Sequence, residues 1–337
     1  MTHVLAVRLD NDGDVLLAGP AIRAVAAGAE HVTLLCGPHG RAAAELLPGV
    51  DDLVVWRAPW IDPEPDPVDR ADVEALVERI AVLGADRAVI FGSFHQSPLP
   101  TALVLRLAGV PWVGATSVDY PGSLLDLRHR IRDDVHEVER ALDLACAAGF
   151  ELPASDDARL AVESRVPSVV GGPYVVVHPG ASVPARAWAP ERCAALVDAL
   201  VERDHRVVVT GSPGERSLTA FVAGPPRDEV VDLGGQTELA GLAGVLEAAD
   251  VVVVGNTGPA HLAAAVATPV VSLFAPTVPA VRWRPWRVPH ELLFVDVPCA
   301  GCRARVCPVA GHPCLGGVAV ADVTAAVERL APVGAVA

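Results

Sequence analysis

Lysine is absent from this chain, and aromatic residues are scarce. All 26 residues counted as lysine or arginine are arginines, and the 41 aspartates and glutamates outnumber them, which gives a formal net charge of −15. A nucleic-acid-binding protein normally presents a basic face, so this balance argues against nucleic acid as a partner. The absence of lysine also excludes every mechanism that relies on a lysine amine.

Long apolar runs are missing too. No run approaches the ~20 residues that a membrane-spanning helix needs, and the apolar start at Val4 to Val7 is too short before Arg8 for a signal peptide. The sequence therefore predicts a cytoplasmic protein without a transmembrane segment. A peripheral association with the inner membrane face stays open.

The cysteines do not follow a secreted disulfide pattern. Three of the seven are scattered in apolar segments, while four lie close together in the sequence. These four are Cys299, Cys302, Cys307 and Cys314, with His312 nearby. Thiols at this spacing are able to bind structural zinc or a cluster, to form disulfides or to stay reduced. The sequence leaves these alternatives open, and we assign the four cysteines no part in catalysis.

Short β-branched runs alternate with alanine-rich segments of helical period through most of the chain. With 52% hydrophobic and 4% aromatic residues, this pattern is typical of buried parallel strands covered by helices. The predicted strands are residues 4–9, 31–36, 52–55, 88–91, 112–115, 174–178, 206–210, 230–233, 250–255 and 270–274. We therefore expect an α/β fold of two doubly wound, Rossmann-like domains that face each other across a cleft.

A polar stretch rich in proline and glycine, residues 150–172, predicts the linker between the domains. The expected organisation is an N-terminal domain over residues 1–160, a C-terminal domain over residues 173–320, and a C-terminal helix and tail over residues 321–337. The charged segment 128–148 is predicted to form one helix that closes the first domain.

The first predicted strand ends in an acidic turn. Asp10, Asp12, Gly13 and Asp14 follow it, and Gly13 permits a tight bend before a helix. Carboxylates at the carboxyl end of a parallel strand face a ligand site in folds of this class, which makes these residues candidates. The structural alternative is that Asp14 caps the helix and that Asp10 and Asp12 are solvated turn residues.

A glycine turn follows each of the first two strands of the second half. Gly180 and Ser182 come after the first of them, and Gly180 leaves amide groups open to an anion that Arg186 can neutralise. Glu215 comes after the second and can accept two hydrogen bonds from a ribose diol. The structural alternatives are a turn with a surface arginine, and a glutamate that complements a helix dipole.

The strongest motif follows the buried run of residues 250–255. Thr257 lies near the cap of the next helix and Pro259 near its first position. Unpaired amides and the helix dipole predict a diphosphate site there, with His261 within reach of the ligand. A lone histidine is more often structural, but in this context we favour function.

These motifs, in this order, resemble glycosyltransferase family 9, the lipopolysaccharide heptosyltransferase family. Residues 8–23 are similar to the family's opening strand, its Gly-Asp-Val-Leu and its Pro-Ala-hydrophobic-Arg segment. Residues 255–264 match its Asn/Asp-Thr/Ser-Gly-x-x-His signature, and the resemblance spans about residues 4–330. It implies a GT-B fold and an inverting, metal-independent sugar transfer to an acceptor hydroxyl, with ADP-heptose as the parent donor and no cofactor.

The resemblance also implies roles for residues. Asp14 would be the general base, with Asp10, Asp12 and Gly13 on the acceptor side, and Arg186 would meet the charge on the departing diphosphate. Residues of the second domain would hold the donor: Gly180, Ser182, Glu215, Asn256, Thr257, Gly258, Pro259 and His261. The implied partners are a nucleotide-sugar donor and a glycan, lipid-linked glycan or small-molecule acceptor, in the biosynthesis of the lipopolysaccharide core or of another glycan.

The chain departs from the family pattern at two of these positions. Arg186 stands where the family usually has lysine, which keeps the charge and changes the shape of the contact. Asn256 stands where aspartate is common, and an amide can donate a hydrogen bond where a carboxylate only accepts. The donor sugar can therefore differ from heptose.

Two functions of other classes compete with transfer. Asp10 and Asp12 with Gly13 also resemble the haloacid-dehalogenase phosphatases, in which the first aspartate is a nucleophile. Those enzymes carry threonine where this chain has Asp14 and rely on a lysine, which is absent here. The other alternative is a non-catalytic protein that binds a nucleotide sugar. In that case, the departures from the family pattern at Arg186 and Asn256 indicate that activity has been lost.

Overall fold

The computed structural model describes residues 2–132, 134–163 and 166–330. These residues divide into two compact units, the first ending at Glu163 and the second formed by the described residues from Val166 onward. The division falls within the predicted linker, residues 150–172. The acceptor and donor roles that we assign to the two units stay predictions.

The described part of the first unit contains a six-stranded parallel sheet. Its strands are β1 (His3–Arg8), β2 (His31–Cys36), β3 (Asp52–Val55), β4 (Arg87–Ile90), β5 (Trp112–Thr116) and β6 (Leu127–His129). Their spatial order is β3-β2-β1-β4-β5-β6. Strands β2 and β3 therefore extend the sheet on one side of β1, and strands β4 to β6 extend it on the other side. The carboxyl ends of β1 and β4 form the switch point at which such sheets bind ligands.

Helices cover this sheet, so its central strand carries an uninterrupted apolar run. The helices are α1 (Asp12–Gly28), α2 (Arg41–Ala44), α3 (Arg70–Leu83), α4 (Leu99–Leu107) and α5 (Glu137–Ala147). The side chains from Val4 to Val7 in β1 are fully buried. Helix α3 begins where Asp69 accepts hydrogen bonds from two amides of the first turn, and ends at the left-handed Gly84.

The predicted single helix over residues 128–148 is wrong in its first part. Leu127–His129 forms β6, which pairs with β5 at the edge of the sheet. Helix α5 begins only after His136, whose side chain and backbone take part in a capping box with Glu139. The charged composition suits a helix, but pairing with β5 and this cap decide where the helix begins.

The second unit repeats the architecture. Its strands are β7 (Val175–His178), β8 (Val207–Val209), β9 (Val230–Asp232), β10 (Val251–Gly255), β11 (Val270–Leu273) and β12 (His290–Leu293). They form a six-stranded parallel sheet in the order β12-β11-β10-β7-β8-β9. The switch point here lies between the carboxyl ends of β7 and β10.

The helices of the second unit complete its core. They are α6 (Pro190–Val201), α7 (Arg216–Ala223), α8 (Leu239–Glu247), α9 (Gly258–Ala265), α10 (Ala280–Trp283), α11 (Pro313–Gly316) and α12 (Val320–Leu330). The last helix, predicted from Asp322, packs against α6 and strands β10 to β12. Its Val323 and Val327 are fully buried in the same cluster as Val175 of β7. In the described part of the chain, no helix is both long and apolar enough to cross a membrane.

Candidate functional site

Arg8 organises a cluster of polar side chains at the switch point of the first unit. It is the last residue of β1, and its side chain is only 3% exposed. The guanidinium Nη2 donates to Asp14 Oδ1 at 2.9 Å and to Ser93 Oγ at 2.8 Å. The Nη1 atom donates to the carbonyl oxygen of Phe91 at 3.3 Å, and Nε lies 2.9 Å from Asp10 Oδ2. A buried cation is thus tied to two carboxylates and to the loop after β4.

Asp14 lies in the first turn of α1 and binds Arg8, so it does not act as the helix cap. The N-cap position belongs to Asn11, whose side chain makes no capping hydrogen bond. The Asp14 side chain is 24% exposed, which makes it the most exposed of the carboxylates around Arg8. Arg8 holds one carboxylate oxygen, and the carboxylate is exposed enough to contact a ligand.

The other predicted residues of this turn divide between two places. Asp10 lies next to Arg8 and accepts a hydrogen bond from Gln96. Burial raises the pKa of Asp10, although the positive charge of Arg8 acts in the opposite direction. Asp12 points to α2, where its Oδ1 accepts the amide proton of Ala43 at 2.9 Å. Burial raises the pKa of Asp12 as well. The solvated-turn interpretation therefore does not describe Asp10 or Asp12. Gly13 is buried within α1, so it does not form the predicted bend before that helix.

Sequence reasoning missed Glu137, the first residue of α5. Its Oε2 lies 3.9 Å from Arg8 Nη2, and the side chain is buried. Burial raises the pKa of Glu137 to about 7, against the lowering effects of Arg8 and Arg140. An acidic residue at a helix start normally complements the dipole, so the sequence carries no signal that Glu137 belongs to this cluster. Ser93 and Gln96, in the loop after β4, were missed as well, because the sequence around them contains no motif that links them to the end of β1.

In the second unit, His178 and Thr210 join the ends of two neighbouring strands. His178 closes β7, and its Nδ1 lies 2.9 Å from Thr210 Oγ1, directly after β8. Burial lowers the pKa of His178 below its ordinary value, although the Glu215 carboxylate acts in the opposite direction. We therefore treat the imidazole as neutral at pH 7.

The two glycine turns of this unit pack against each other. Glu215 Oε2 accepts hydrogen bonds from the amide and the hydroxyl of Ser212, both at 2.8 Å, in a capping box. The same carboxylate occupies the space that a β-carbon on Gly180 would need. Ser182, two residues beyond Gly180, is exposed. The structure thus places Gly180 beside Glu215, while the contact of either residue with a nucleotide stays a prediction.

Arg186 lies next to the end of β10. It closes a 3-10 turn, Pro184–Arg186, and its side chain is half-buried. Its carbonyl oxygen lies 2.7 Å from the position of a β-carbon built on Gly255, so the loop and the strand end are in contact. The neighbouring Ala185 amide donates to the carbonyl oxygen of Arg305 at 2.9 Å, which ties this loop to the cysteine-rich segment.

Asn256 uses its side-chain amide within the protein. Its Oδ1 accepts the amide proton of Ala275 at 3.1 Å, and its Nδ2 donates to the carbonyl oxygen of Ala275 at 3.3 Å. An aspartate here could accept the first bond but would face the Ala275 carbonyl without a proton to donate. The pairing gives a structural reason for the amide, and the predicted contact of Asn256 with a donor stays a prediction.

Helix α9 begins at this point and presents its first turn to the strand ends. Thr257 is its N-cap residue and makes no side-chain capping bond. Among the described residues, the buried Thr257 hydroxyl has no hydrogen-bond partner. Gly258 and Pro259 are the first two helical residues, and His261 is buried in the same turn. Backbone amides at a helix start, a hydroxyl and an imidazole are groups that can bind a diphosphate.

The four clustered cysteines line one cavity together with His312. The cavity has a volume of about 40 Å³ and is bordered by Ala185 and Thr277. All seven cysteines belong to the described residues, and each is a free thiol. Within the described ranges, no three His, Cys, Asp or Glu side chains are placed to hold a metal ion.

Comparison with known proteins adds to this geometry. The family model described as glycosyltransferase family 9 (heptosyltransferase) matches residues 95–312. Lipopolysaccharide heptosyltransferase 3 of Escherichia coli is 31% identical over 172 residues, which cover 48% of each protein. The chain thus spans about half the length of this curated relative. The resemblance inferred from the sequence motifs is confirmed.

Solved structures show the same fold over the whole chain. The glycosyl transferase family 9 structure from Veillonella parvula DSM 2008 has a TM-score of 0.77 at 15% identity, and the match covers 98% of this chain and 97% of that one. An E. coli heptosyltransferase solved with ADP-2-deoxy-2-fluoro heptose has a TM-score of 0.73 at 20% identity, over 97% and 99% of the two chains. The predicted GT-B fold class is confirmed.

Proposed function

The chain belongs to glycosyltransferase family 9, the heptosyltransferase family, and on that premise we propose that it is an inverting, metal-independent glycosyltransferase. The proposed reaction moves a sugar, with heptose as the leading choice, from a nucleotide diphosphate to an acceptor hydroxyl. One observation carries the mechanism: Asp14 is partly exposed at the switch point of the first unit, with one oxygen held by Arg8 at 2.9 Å.

The proposed donor is ADP-heptose or a related nucleotide sugar. The E. coli relative was solved with ADP-2-deoxy-2-fluoro heptose, which supports an ADP-sugar donor. In the second unit, the start of α9 supplies amides and the buried hydroxyl of Thr257, and His261 lies in the same turn. We assign donor binding to the residues around this turn and the two glycine turns: Gly180, Ser182, Glu215, Asn256, Thr257, Gly258, Pro259 and His261.

Asp14 is the proposed general base. Its partly exposed carboxylate removes the proton of the acceptor hydroxyl while the hydroxyl oxygen attacks the anomeric carbon. The bond from that carbon to the diphosphate breaks on the opposite face, its electron pair stays with the departing nucleotide, and the configuration inverts. Because Arg8 fixes the carboxylate, the geometry needed for concerted proton transfer is set before the acceptor binds.

The departing diphosphate carries growing negative charge, and we assign its neutralisation to Arg186 and the amides of α9. A planar guanidinium can bind two phosphate oxygens at once, which suits this role in place of lysine. Donors fixed in advance by the fold stabilise developing charge without reorganisation. The proposal therefore needs no metal ion and no further cofactor.

The proposed acceptor is a glycan, a lipid-linked glycan or a small molecule. The curated relative is a lipopolysaccharide heptosyltransferase, which supports an acceptor from the lipopolysaccharide core. Such an acceptor would place the protein in the cytoplasm, in peripheral contact with the inner membrane face.

The phosphatase alternative finds no support in the first turn. Its nucleophile would be Asp10, whose carboxylate is buried, paired with Arg8 and hydrogen bonded by Gln96. A non-catalytic binder would have no need of Asp14 held by Arg8 at a partly exposed edge. We therefore keep sugar transfer as the proposed function.

The decisive experiment offers the purified protein a panel of ADP-, GDP- and UDP-sugars with a lipopolysaccharide core acceptor. Mass spectrometry of the acceptor and release of the nucleoside diphosphate report transfer. We expect ADP-heptose to be consumed in proportion to the glycosylated acceptor. Binding of ADP-sugars without any turnover, over a range of acceptors, would leave the non-catalytic binder as the better description.

A further inference from the structure

One buried cation faces three carboxylates at the end of β1. Arg8 lies 2.9 Å from Asp10, 2.9 Å from Asp14 and 3.9 Å from Glu137. If all three carboxyl groups were ionised, the four side chains would carry two negative charges in excess. Like charges at such distances in a poorly solvated place disfavour full ionisation, so one carboxyl group tends to keep its proton.

Glu137 is the carboxyl group with the least support for its charge. Asp14 is hydrogen bonded to Arg8 and reaches solvent. Burial raises the pKa of Asp10 too, but Arg8 and Gln96 both bind its carboxylate and favour the charged form. The Oε2 atom of Glu137 is buried and, among the described residues, has no hydrogen-bond partner. Glu137 therefore changes its protonation state near neutral pH, in line with its pKa of about 7.

A small cavity lies beside Glu137. It has a volume of about 10 Å³ and is lined by Arg8, Thr116, Glu137 and Arg140, among others. The Thr116 hydroxyl is also buried and without a partner among the described residues. A polar cavity of ~10–15 Å³ accommodates one water molecule, which gives Glu137 a means of exchanging its proton.

Charged groups face Glu137 from the end of β1, from α1 and from α5 itself. Arg8 and Asp10 approach from the end of β1, and Asp14 from α1. On α5 itself, Arg140 is the second cation, and its Nε donates to the carbonyl oxygen of Gly92 at 3.4 Å.

Two further groups lie next to these. His136 precedes Glu137 and is buried, with its Nδ1 accepting the amide proton of Val138. The charge of His95 lowers the pKa of Asp10.

We propose that Glu137 is a positioning residue of the transfer reaction, which acts through Arg8 and determines how readily Asp14 takes the acceptor proton. This inference rests on the proposed function, in which Asp14 is the base. When Asp14 becomes protonated, its charge no longer compensates Arg8, and an uncompensated buried guanidinium is costly. Ionised Glu137, together with Asp10, keeps Arg8 compensated at that moment.

The protonation of Glu137 has the opposite effect. With Glu137 neutral, Arg8 depends on Asp10 and Asp14 for its counter-charge, so transfer of the acceptor proton to Asp14 leaves the buried guanidinium with less compensation. Ionised Glu137 is thus the active form, so turnover should rise as the pH increases through the titration of Glu137 and should be lost below it.

The test compares pH profiles of kcat for the parent protein, Glu137→Gln and Glu137→Asp at saturating donor and acceptor. Between pH 5.5 and 9 we expect the parent kcat to rise through about pH 7. Glu137→Gln should lose that rise and fall roughly tenfold at pH 8.5. The donor KM should stay unchanged, and Glu137→Asp should restore part of the rise because it restores the charge.

Glu78→Gln is the matched control, because Glu78 is an exposed glutamate on α3 of the same unit. It should keep the parent profile. A parent-like profile in a folded Glu137→Gln would overturn the inference. If that variant does not fold, a carbon-13 titration of the Glu137 carboxyl group in the parent protein decides instead: ionisation complete below pH 5 would overturn it equally.

Measuring Asp14→Asn alongside these variants separates this inference from the proposed function. If Asp14→Asn abolishes transfer and Glu137→Gln does not change it, the inference on Glu137 is contradicted, but the proposed function is not. A parent protein that transfers no sugar, or an Asp14→Asn variant with full activity, contradicts the proposed function itself.

Discussion

The carboxylate of Glu215 occupies the space that a β-carbon on Gly180 would need. The two residues follow neighbouring strands, β7 and β8, and Glu215 is held in this place by two hydrogen bonds from Ser212. The Glu215 side chain can therefore keep this position only if residue 180 has no β-carbon. The two motifs act as one unit, although they lie about 35 residues apart in the chain.

Gly180→Ala should displace the Glu215 side chain and leave the fold intact. The atoms in the way belong to the far end of a flexible side chain, so the added methyl group can be accommodated by its rotation. If Glu215 holds the ribose of the donor, the displacement removes up to two hydrogen bonds of about 0.5–1.5 kcal/mol each. Calorimetry with ADP should show the corresponding loss of affinity.

Gly214→Ala is the control for that measurement. It lies in the same turn as Glu215, and the nearest atom to its added β-carbon is Ser212 Oγ at 4.0 Å. We expect ADP to bind this variant with the parent affinity. Equal affinities for all three proteins would mean that Glu215 does not contact the nucleotide.

Asp14→Asn should abolish most of the transfer and leave the fold and donor binding intact. The amide keeps an oxygen that can accept the hydrogen bond from Arg8, but it cannot take a proton from the acceptor. We expect kcat to fall by the roughly 10²–10⁴-fold that general-base catalysis contributes. Steady-state kinetics and ADP calorimetry measure the two effects separately.

Asp69→Asn is the matched control, at the start of α3 in the same unit. Asp69 accepts backbone hydrogen bonds from Ala71 and Asp72, which an asparagine oxygen can also accept. Its transfer rate should stay near that of the parent. A similar loss in both variants would point to damage to the first unit rather than to loss of a base.

Transfer should continue after exhaustive chelation of divalent ions. In the proposed mechanism, Arg186 and the amides of α9 carry the charge of the leaving group, so a metal ion has no task there. The measurement is the rate of ADP release after dialysis against a chelator, with thermal unfolding recorded in parallel to detect any effect on the cysteine-rich segment. Activity that disappears and returns with Mg²⁺, at unchanged unfolding temperature, would contradict the mechanism.

Asp156→Asn should destabilise the first unit in a pH-dependent way. Arg23 binds the Asp156 carboxylate through two hydrogen bonds, at 2.7 and 2.9 Å, and these bonds hold the pKa of Asp156 below its ordinary value. Because the folded-state pKa is depressed, the stabilisation is present above pH ~4 and is lost as the pH falls through the folded-state pKa.

Urea unfolding at pH 7 should show a loss of about 1.5–3 kcal/mol for Asp156→Asn, the range for hydrogen bonds to charged groups. The difference from the parent should shrink as the pH falls toward 3. Asp157→Asn provides the comparison, since Asp157 pairs with Arg159 in an exposed ion pair that contributes little. A difference for Asp156→Asn that is independent of pH would show that the ion pair is not its cause.

Most of the central strands could be predicted from the sequence to within about one residue. The run at residues 31–36 matches β2 at both ends, and the run at residues 112–115 matches β5 to within one residue. Buried parallel strands leave this signal because both faces must be apolar. Of the four edge strands, β6 and β12 were missed, and their residues are only half-buried. The other two, β3 and β9, are no better buried but could be predicted from their valine-rich runs.

The sequence by itself also determined where the polar groups of the site occur. In a doubly wound sheet, residues that follow the strands gather at one edge, so Asp14, Glu215 and Thr257 could be selected from their positions alone. The resemblance to the family motifs then indicated the expected chemistry. These inferences needed only the order of residues along short segments of the chain.

Only the tertiary structure decided which side chains meet. Arg8 reaches Ser93 and Glu137, which are 85 and 129 residues away in the chain, because β1 neighbours β4 and α5 packs on α1. Asn256 pairs with the backbone of Ala275 for the same kind of reason. Such pairings depend on distances that folding creates, and they leave no pattern in the sequence around either residue. The pKa of Glu137 can therefore be understood only when its burial and its neighbours are known.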